Sequence, residues 1–285
     1  MNTKKEEQWD LIIKPRTPLF NLELQEIWKY RDLLLLMVKR DLTTVYKQTI
    51  LGPLWFVLQP ILTTLIFTLI FGEIAGLPTG EIPAVLFYLS GLIIWNYFSE
   101  TLLSTSKTFT ENAAIFSKVY FPRLIMPLAK VISGLLKFFI QLALFLIVLA
   151  YFIFLKGLDI SLNGSFLILP FLLLLMAGLA LGAGILLSAL TTKYRDLIFL
   201  INFGVQLMMY ATPVIIPLSD VPPRYQWFMT INPMTPVIET FRYIFLGTGT
   251  MDVSGLLYSF AFTTILLFVG IIVFNKVEKS FIDTV

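Results

Sequence analysis

Six apolar runs, over residues 54–75, 83–104, 131–155, 165–190, 197–218 and 255–275, dominate the sequence. A helix rises about 1.5 Å per residue and needs about 20 apolar residues to cross a hydrocarbon core, so each run is long enough. That core holds no water, and every backbone N–H and C=O must find its partner within the protein. A spanning run of this length is therefore expected to be helical. The expected fold class is an all-α integral membrane protein with six transmembrane helices. Pro60 interrupts the first run and Pro213 the fifth, which a span tolerates when neighbouring helices re-satisfy the freed carbonyl. The implied division is an N-terminal segment 1–53, a membrane domain 54–275 and a tail 276–285.

Only 14% of the 285 residues are charged against 57% hydrophobic, far from a soluble profile. Orientation follows from where Lys and Arg lie. Nine precede the first run, four lie between the second and third (Lys107, Lys118, Arg123, Lys130), two between the fourth and fifth (Lys193, Arg195), and two follow the sixth (Lys276, Lys279). The alternate connections hold only Lys156, Arg224 and Arg242. This bias predicts that both termini are cytoplasmic. The first fifty residues lack a short apolar core followed by small residues, so no cleavable secretory signal is expected.

The absence of Cys and His removes disulfides, thiolate chemistry and the usual metal ligand and proton shuttle. No G-x-x-x-x-G-K-[ST] occurs, so the chain carries no phosphate-cradling loop of its own. No carboxylate pair lies within a run as a hydrolytic dyad would. The chain is expected to be no enzyme, to bind no cofactor or metal, and to have no nucleic-acid partner.

Polar groups inside the runs are more telling, because a mid-bilayer charge costs about 2.5–3.5 kcal/mol on insertion scales. Lys130, Ser133, Lys137 and Gln141 form one stripe along the third run, and Glu100 in the second is the candidate partner for Lys137 if the two helices pack antiparallel. The stripe reads either as side chains reaching the cytoplasmic interface or as the hydrophilic entrance to a conduit. Aromatic side chains are numerous, with Tyr88, Trp95 and Tyr97 on the second run and Phe199, Phe203 and Tyr210 on the fifth. Most are expected to face lipid, while a minority offers flat platforms for sugar rings. Gly178 and Gly182 form a G-x-x-x-G on the fourth run, which suits close helix packing.

Two stretches outside the runs have helical patterning. Residues 21–47 place Leu24, Ile27, Trp28, Leu34, Leu35, Val38, Leu42 and Val45 near a 3.6 period with Lys29, Arg40 and Lys47 elsewhere. That pattern predicts an amphipathic helix or helix pair on the inner membrane surface, or an ordinary membrane-proximal anchor. The Gly52-Pro53 step is read as the hinge into the first run: Gly permits the turn, and Pro suits a first helical position. Residues 219–254 contain four prolines and then VIETFRYIFLG, too short to cross, which suggests re-entrant helices on the external side. Glu239 and Arg242 within it sit at i, i+3, either as a buried ion pair or as headgroup-level charges facing water.

Four stretches, RDLLLLMVKRDLTTVYKQTILGPLWFVLQP, FSKVYFPRLIMPLAKVIS, LLSALTTKYRDL and YATPVIIPLSDVPPRYQWFMTINPMTPVIETFRYIFLG, resemble in order and spacing the permease subunit of type-2 ABC transporters that export bacterial surface polysaccharide. This group includes O-antigen, capsule and teichoic-acid exporters. The resemblance implies a homodimer in the bacterial inner membrane, paired with two copies of a separate ATPase subunit that holds ATP and Mg. It implies a lipid-linked, O-antigen-like glycan as substrate, threaded between the two subunits through an aromatic-lined passage, with membrane lipids around it. It places a cytoplasmic coupling helix at about 108–121, with Glu111, Asn112, Ile115, Phe116 and Tyr120 as candidate ATPase contacts. Candidates for the translocation path are Tyr88, Trp95, Tyr97, Glu100, Lys130, Lys137, Phe199, Phe203 and Tyr210. A small-molecule, drug or lipid exporter of the same type is the strongest rival. A secondary transporter would need ion-coupling carboxylates at broken helices, and the runs offer Glu100 and little else. A channel would show charged rings or filter loops, and neither is evident.

Overall fold

The computed structural model describes residues 24–47, 49–116, 118–160 and 165–282. Lys4, Lys5, Lys14 and Arg16 of the N-terminal segment and residues 283–285 of the tail lie outside the described residues. Those described are helical, apart from turns and an isolated bridge between Thr79 and Glu81. In chain order the α-helices are α1 Leu24–Lys29, α2 Arg31–Tyr46, α3 Trp55–Phe67, α4 Ala84–Ser106, α5 Thr108–Phe116, α6 Ile125–Lys156, α7 Leu169–Lys193, α8 Leu197–Tyr210, α9 Pro223–Thr230, α10 Thr235–Leu246 and α11 Val253–Ile282.

Four helical stretches are long and apolar enough to cross a membrane: Gly52–Ile74, Ile125–Lys156, Ser165–Lys193 and Val253–Val277. They make this a multi-pass membrane protein. The first continues through Pro60, then widens from an α- to a π-helix over Thr68–Ile74, where the Ala75 N–H reaches back to the Ile70 carbonyl. The second apolar run forms α4, whose 23 residues have the length but include Asn96, Ser99 and Glu100 and lie largely inside the bundle.

The fifth run departs from expectation. Its helix, α8, stops at Tyr210 rather than continuing to 218, leaving 14 residues, or about 21 Å. Pro213 has no N–H to donate and biases Thr212 away from helical dihedrals, so the chain turns there instead of kinking. The third run is longer than expected: α6 begins at Ile125, with Pro127 inside the first turn where a missing N–H costs nothing.

Helix α4 is the centre of the bundle, packed on α6 and α7, and α7 packs in turn along α11. The G-x-x-x-G of α7 makes that second seam. A Cβ at Gly178 would lie 2.8 Å from Thr263 Cγ2, and one at Gly182 would lie 3.0 Å from the Leu267 backbone nitrogen. Leu62, Leu65, Ile147, Phe154, Leu174, Phe199 and Ile265 remain on the outside, as a lipid-facing surface requires.

The amphipathic segment is a helix pair. Met37 and Val38 of α2 are buried in an apolar cluster with Ile125, Met126 and Ala129 of α6, whereas Trp28, Leu35 and Leu36 stay exposed on another side. The turn after it is a left-handed Gly52 (φ +52°), with its N–H bonded to Thr49 Oγ1 at 3.1 Å, followed by Pro53 in a 3-10 turn. Asp252 caps α11: the Ser254 hydroxyl donates to its carboxylate at 2.7 Å and, with the N–H groups of Ser254 and Gly255, holds its pKa below the ordinary Asp value.

Candidate functional site

Helices α2, α4, α5 and α6 enclose a polar cleft of about 410 Å³. Its charges come in both signs: Arg40, Lys130 and Lys137 against Asp41, Glu100 and Glu111. Asp41 Oδ2 lies 3.1 Å from Lys130 Nζ, while its Oδ1 accepts from Arg40 Nη2 at 2.8 Å. About two helical turns further along α6, Lys137 Nζ lies 3.7 Å from Glu100 Oε2 and 5.5 Å from the centre of the Phe56 ring. The antiparallel contact expected of Lys137 and Glu100 is therefore present. The close approach of α4 and α6 here depends on Gly134, where a Cβ would stand 2.5 Å from Thr101 Oγ1.

Helix α5 presents its candidate residues on two sides. Asn112 and Phe116 point inward: Asn112 donates to the Thr108 carbonyl at 2.9 Å, and the Phe116 ring packs on Phe109 and Phe121. Glu111 is exposed and Ile115 half-buried; α5 ends at Phe116 rather than at about 121, so Tyr120 lies past the helix, exposed. Only these last three are placed to meet another molecule, so within the expected set Asn112 and Phe116 hold α5 to the bundle.

The aromatic candidates divide in the same way. Tyr88, Trp95 and Tyr97 are 0%, 3% and 4% exposed, packed among Phe67, Phe71, Phe98 and Phe138. Rings enclosed by helices of their own chain touch no passing polymer in this conformation, which corrects their reading as lining residues. Helical spacing did not reveal that α4 is surrounded. Phe199, Phe203 and Tyr210 are exposed on α8, available to lipid, to a second protomer or to a ligand.

Beyond α8, the short helices α9 and α10 are joined by a turn that Tyr258 and Ser259 of α11 hold through the Ile231 and Pro233 carbonyls. Arg242 of α10 is 1% exposed and Glu239 5%, so the buried reading of this pair holds rather than the headgroup one. The two lie 3.8 Å apart. The guanidinium donates from Nε to Ser90 Oγ at 3.3 Å and from Nη2 to the Phe87 and Val214 carbonyls at 3.1 and 3.3 Å. Its Nη1 donates to the Pro213 carbonyl, and its carbon sits 3.7 Å from the centre of the Phe87 ring. One side chain thus joins α4, α10 and the turn after α8. Room for it comes from Gly91, whose Cβ would lie 2.7 Å from Nη2 and 3.2 Å from Val214 Cα. The pair borders a pocket of about 580 Å³ that is also lined by Thr79, Glu81, Asp220 and Thr250, among others.

Residues 32–246 match the family described as ABC-2 type transporter. The chain belongs to that family. Among similar proteins is an O-antigen export system permease protein RfbA of Klebsiella pneumoniae, 31% identical over 88% of this chain and 94% of the relative. Another RfbA, of Myxococcus xanthus, is 25% identical over 92% and 98%. A polysialic acid transport protein KpsM of Escherichia coli is 24% identical over 86% and 93%.

The segment that matches the ABC-2 family contains both the polar cleft and the Arg242 clamp, whereas α11 lies beyond it. Three residues important to this ABC-2 geometry were not singled out from the sequence. Asp41 carried a signal, as a carboxylate directly after Lys39 and Arg40 in an amphipathic helix. Ser90 and Gly91 carried none, since their roles depend on a partner some 150 positions away. Among the described residues no three His, Cys, Asp or Glu side chains gather as metal ligands would.

Proposed function

We propose that this chain is the permease subunit of an ATP-driven exporter that carries a lipid-linked, O-antigen-like polysaccharide across the bacterial inner membrane. The observation that carries the reading is near full-length similarity to proteins named as O-antigen export permeases, covering 94% of the first of them. In this reading α4 and α8 join the four long apolar stretches as spans, giving six, and both termini are cytoplasmic. The chain works as a homodimer with two copies of a separate ATPase subunit, which holds ATP and Mg.

The ATPase contacts the exposed side of α5 through Glu111 and Ile115, and the exposed Tyr120 beyond the helix end. ATP binding draws the two ATPases together, α5 moves with them, and the paired permeases rearrange so that the glycan advances outward. Lys130, Lys137 and Glu100 stand at the cytoplasmic mouth of the path. Phe199, Phe203 and Tyr210 offer ring faces to sugar C–H groups as the polymer passes between protomers.

Deletion of the encoding gene tests this. The expected result is loss of surface polysaccharide and accumulation of lipid-linked polymer inside the cell, both reversed by complementation. An unchanged surface glycan together with altered sensitivity to an amphiphilic drug would move the assignment to a small-molecule or lipid exporter.

A further inference from the structure

Helix α5 is attached to the rest of the chain in two different ways. One is apolar: Phe109 stacks on Phe274 of α11 with ring centres 4.6 Å apart, and Phe116 packs on Phe121. Such contact is non-directional and leaves sliding open. The other is polar: the Phe109 N–H donates to Ser188 Oγ of α7 at 3.4 Å, and a second path runs into the surface helix α2. The Asn112 amide nitrogen is committed to the Thr108 carbonyl, so its oxygen faces Arg40, whose Nη1 donates to it at 3.5 Å.

Arg40 continues the chain of contacts by gripping Asp41 Oδ1 with Nε at 3.0 Å and Nη2 at 2.8 Å. The second oxygen of the same carboxylate lies 3.1 Å from Lys130 Nζ on α6. The side chains of Asp41 and Lys130 are only 10% and 17% exposed, so each charge depends on the other. Lys130 also begins the α6 stripe that reaches, about two turns on, Lys137 opposite Glu100 of α4. Three elements, α5, α2 and α6, therefore meet through one carboxylate divided between two cations. Charge-assisted contacts of this kind fix geometry as well as add energy.

We propose that Asp41 is a positioning residue for transport: the shared carboxylate through which displacement of α5 reaches α6 and, from it, α4. The proposal rests on the reading that α5 meets an ATPase, and it assigns the surface helix α2 the role of link rather than of passive anchor. A stabilising ion pair alone would affect how much protein folds. A link affects how much transport each hydrolysed ATP produces.

The test uses the full chain co-purified with its ATPase and reconstituted into vesicles, reading polymer transported per ATP hydrolysed. Lys130→Met and Asn112→Leu are expected to lower that ratio about tenfold, within the usual span of coupling energies, while the ATPase still co-purifies. Lys130→Arg keeps the cation and is expected to keep most of the ratio. An unchanged ratio in both Lys130→Met and Asn112→Leu overturns the proposal. Should Lys130→Met fail to assemble, Asn112→Leu against Lys130→Arg decides the matter alone. A failure of the underlying reading shows instead in the wild-type arm, as a chain that binds no ATPase or a hydrolysis rate indifferent to glycan, and overturns both.

Discussion

Replacing Arg242 by Met probes the clamp between α4, α10 and the turn after α8. Met approximates the length and apolar stem of Arg but supplies none of its N–H donors. In the native structure those donors serve the carbonyls of Phe87, Pro213 and Val214 and the Ser90 hydroxyl, and the charge balances Glu239. Phe87 keeps a second donor in Ser90 at 2.8 Å, so the turn carbonyls and Glu239 bear the loss. Breaking a buried pair by removing one partner costs about 3–5 kcal/mol, and each orphaned buried acceptor about 1–3 kcal/mol. These terms overlap, so about 3 kcal/mol is the least expected. At about 2–4 °C per kcal/mol for a chain approaching this size, thermal unfolding in detergent should fall by about 6–12 °C. Adding Glu239→Gln removes the stranded charge and should return part of the loss, as close neighbours couple. An Arg242→Met protein that unfolds at the wild-type temperature would falsify the clamp.

Gly91→Ala forces a Cβ against Arg242 Nη2 and the Val214 backbone, and an overpacking cost of about 1–3 kcal/mol is expected, smaller when Arg242 is already Met; unfolding of the double variant checks this. Glu111→Lys reverses an exposed charge, so stability should stay within about 0.5 kcal/mol while ATPase recovery on co-purification drops. Gly52→Val places a β-branched residue at φ +52°, costing about 1–2 kcal/mol and lowering export; full export by that variant removes the hinge role. Trp95→Ala empties a core position at a cost of about 3–5 kcal/mol, so export and folded protein should be lost together. A well-folded Trp95→Ala protein that exports nothing would restore Trp95 to the passage.

Much of this architecture was legible because the bilayer restricts the options. A run such as 131–155 has to be helical, and a stripe at 130, 133, 137 and 141 has to share one face, so the approach of Lys137 to Glu100 followed from spacing and antiparallel packing alone. The G-x-x-x-G at Gly178 and Gly182 marked a tight seam for the same reason. The faces of α4 were not legible. Its tyrosines and tryptophan suit both a wet lining and a buried core, and the choice depends on how many helices surround it, which no local pattern encodes. The end of α8 at Tyr210 was misjudged because Pro213 is tolerated in many spans; here a turn held by Arg242 competes successfully with a kinked helix. Asp41 and Gly91 matter through residues 130 and 242, and such distant pairings leave little trace in one sequence.

The most direct measurement is reconstitution of the chain with its ATPase in vesicles loaded with lipid-linked glycan, following hydrolysis and glycan translocation together. The account predicts that the glycan stimulates hydrolysis and reaches the opposite side only when ATP is present. Hydrolysis that responds to a small amphiphile but not to glycan, with no polymer crossing, would contradict it.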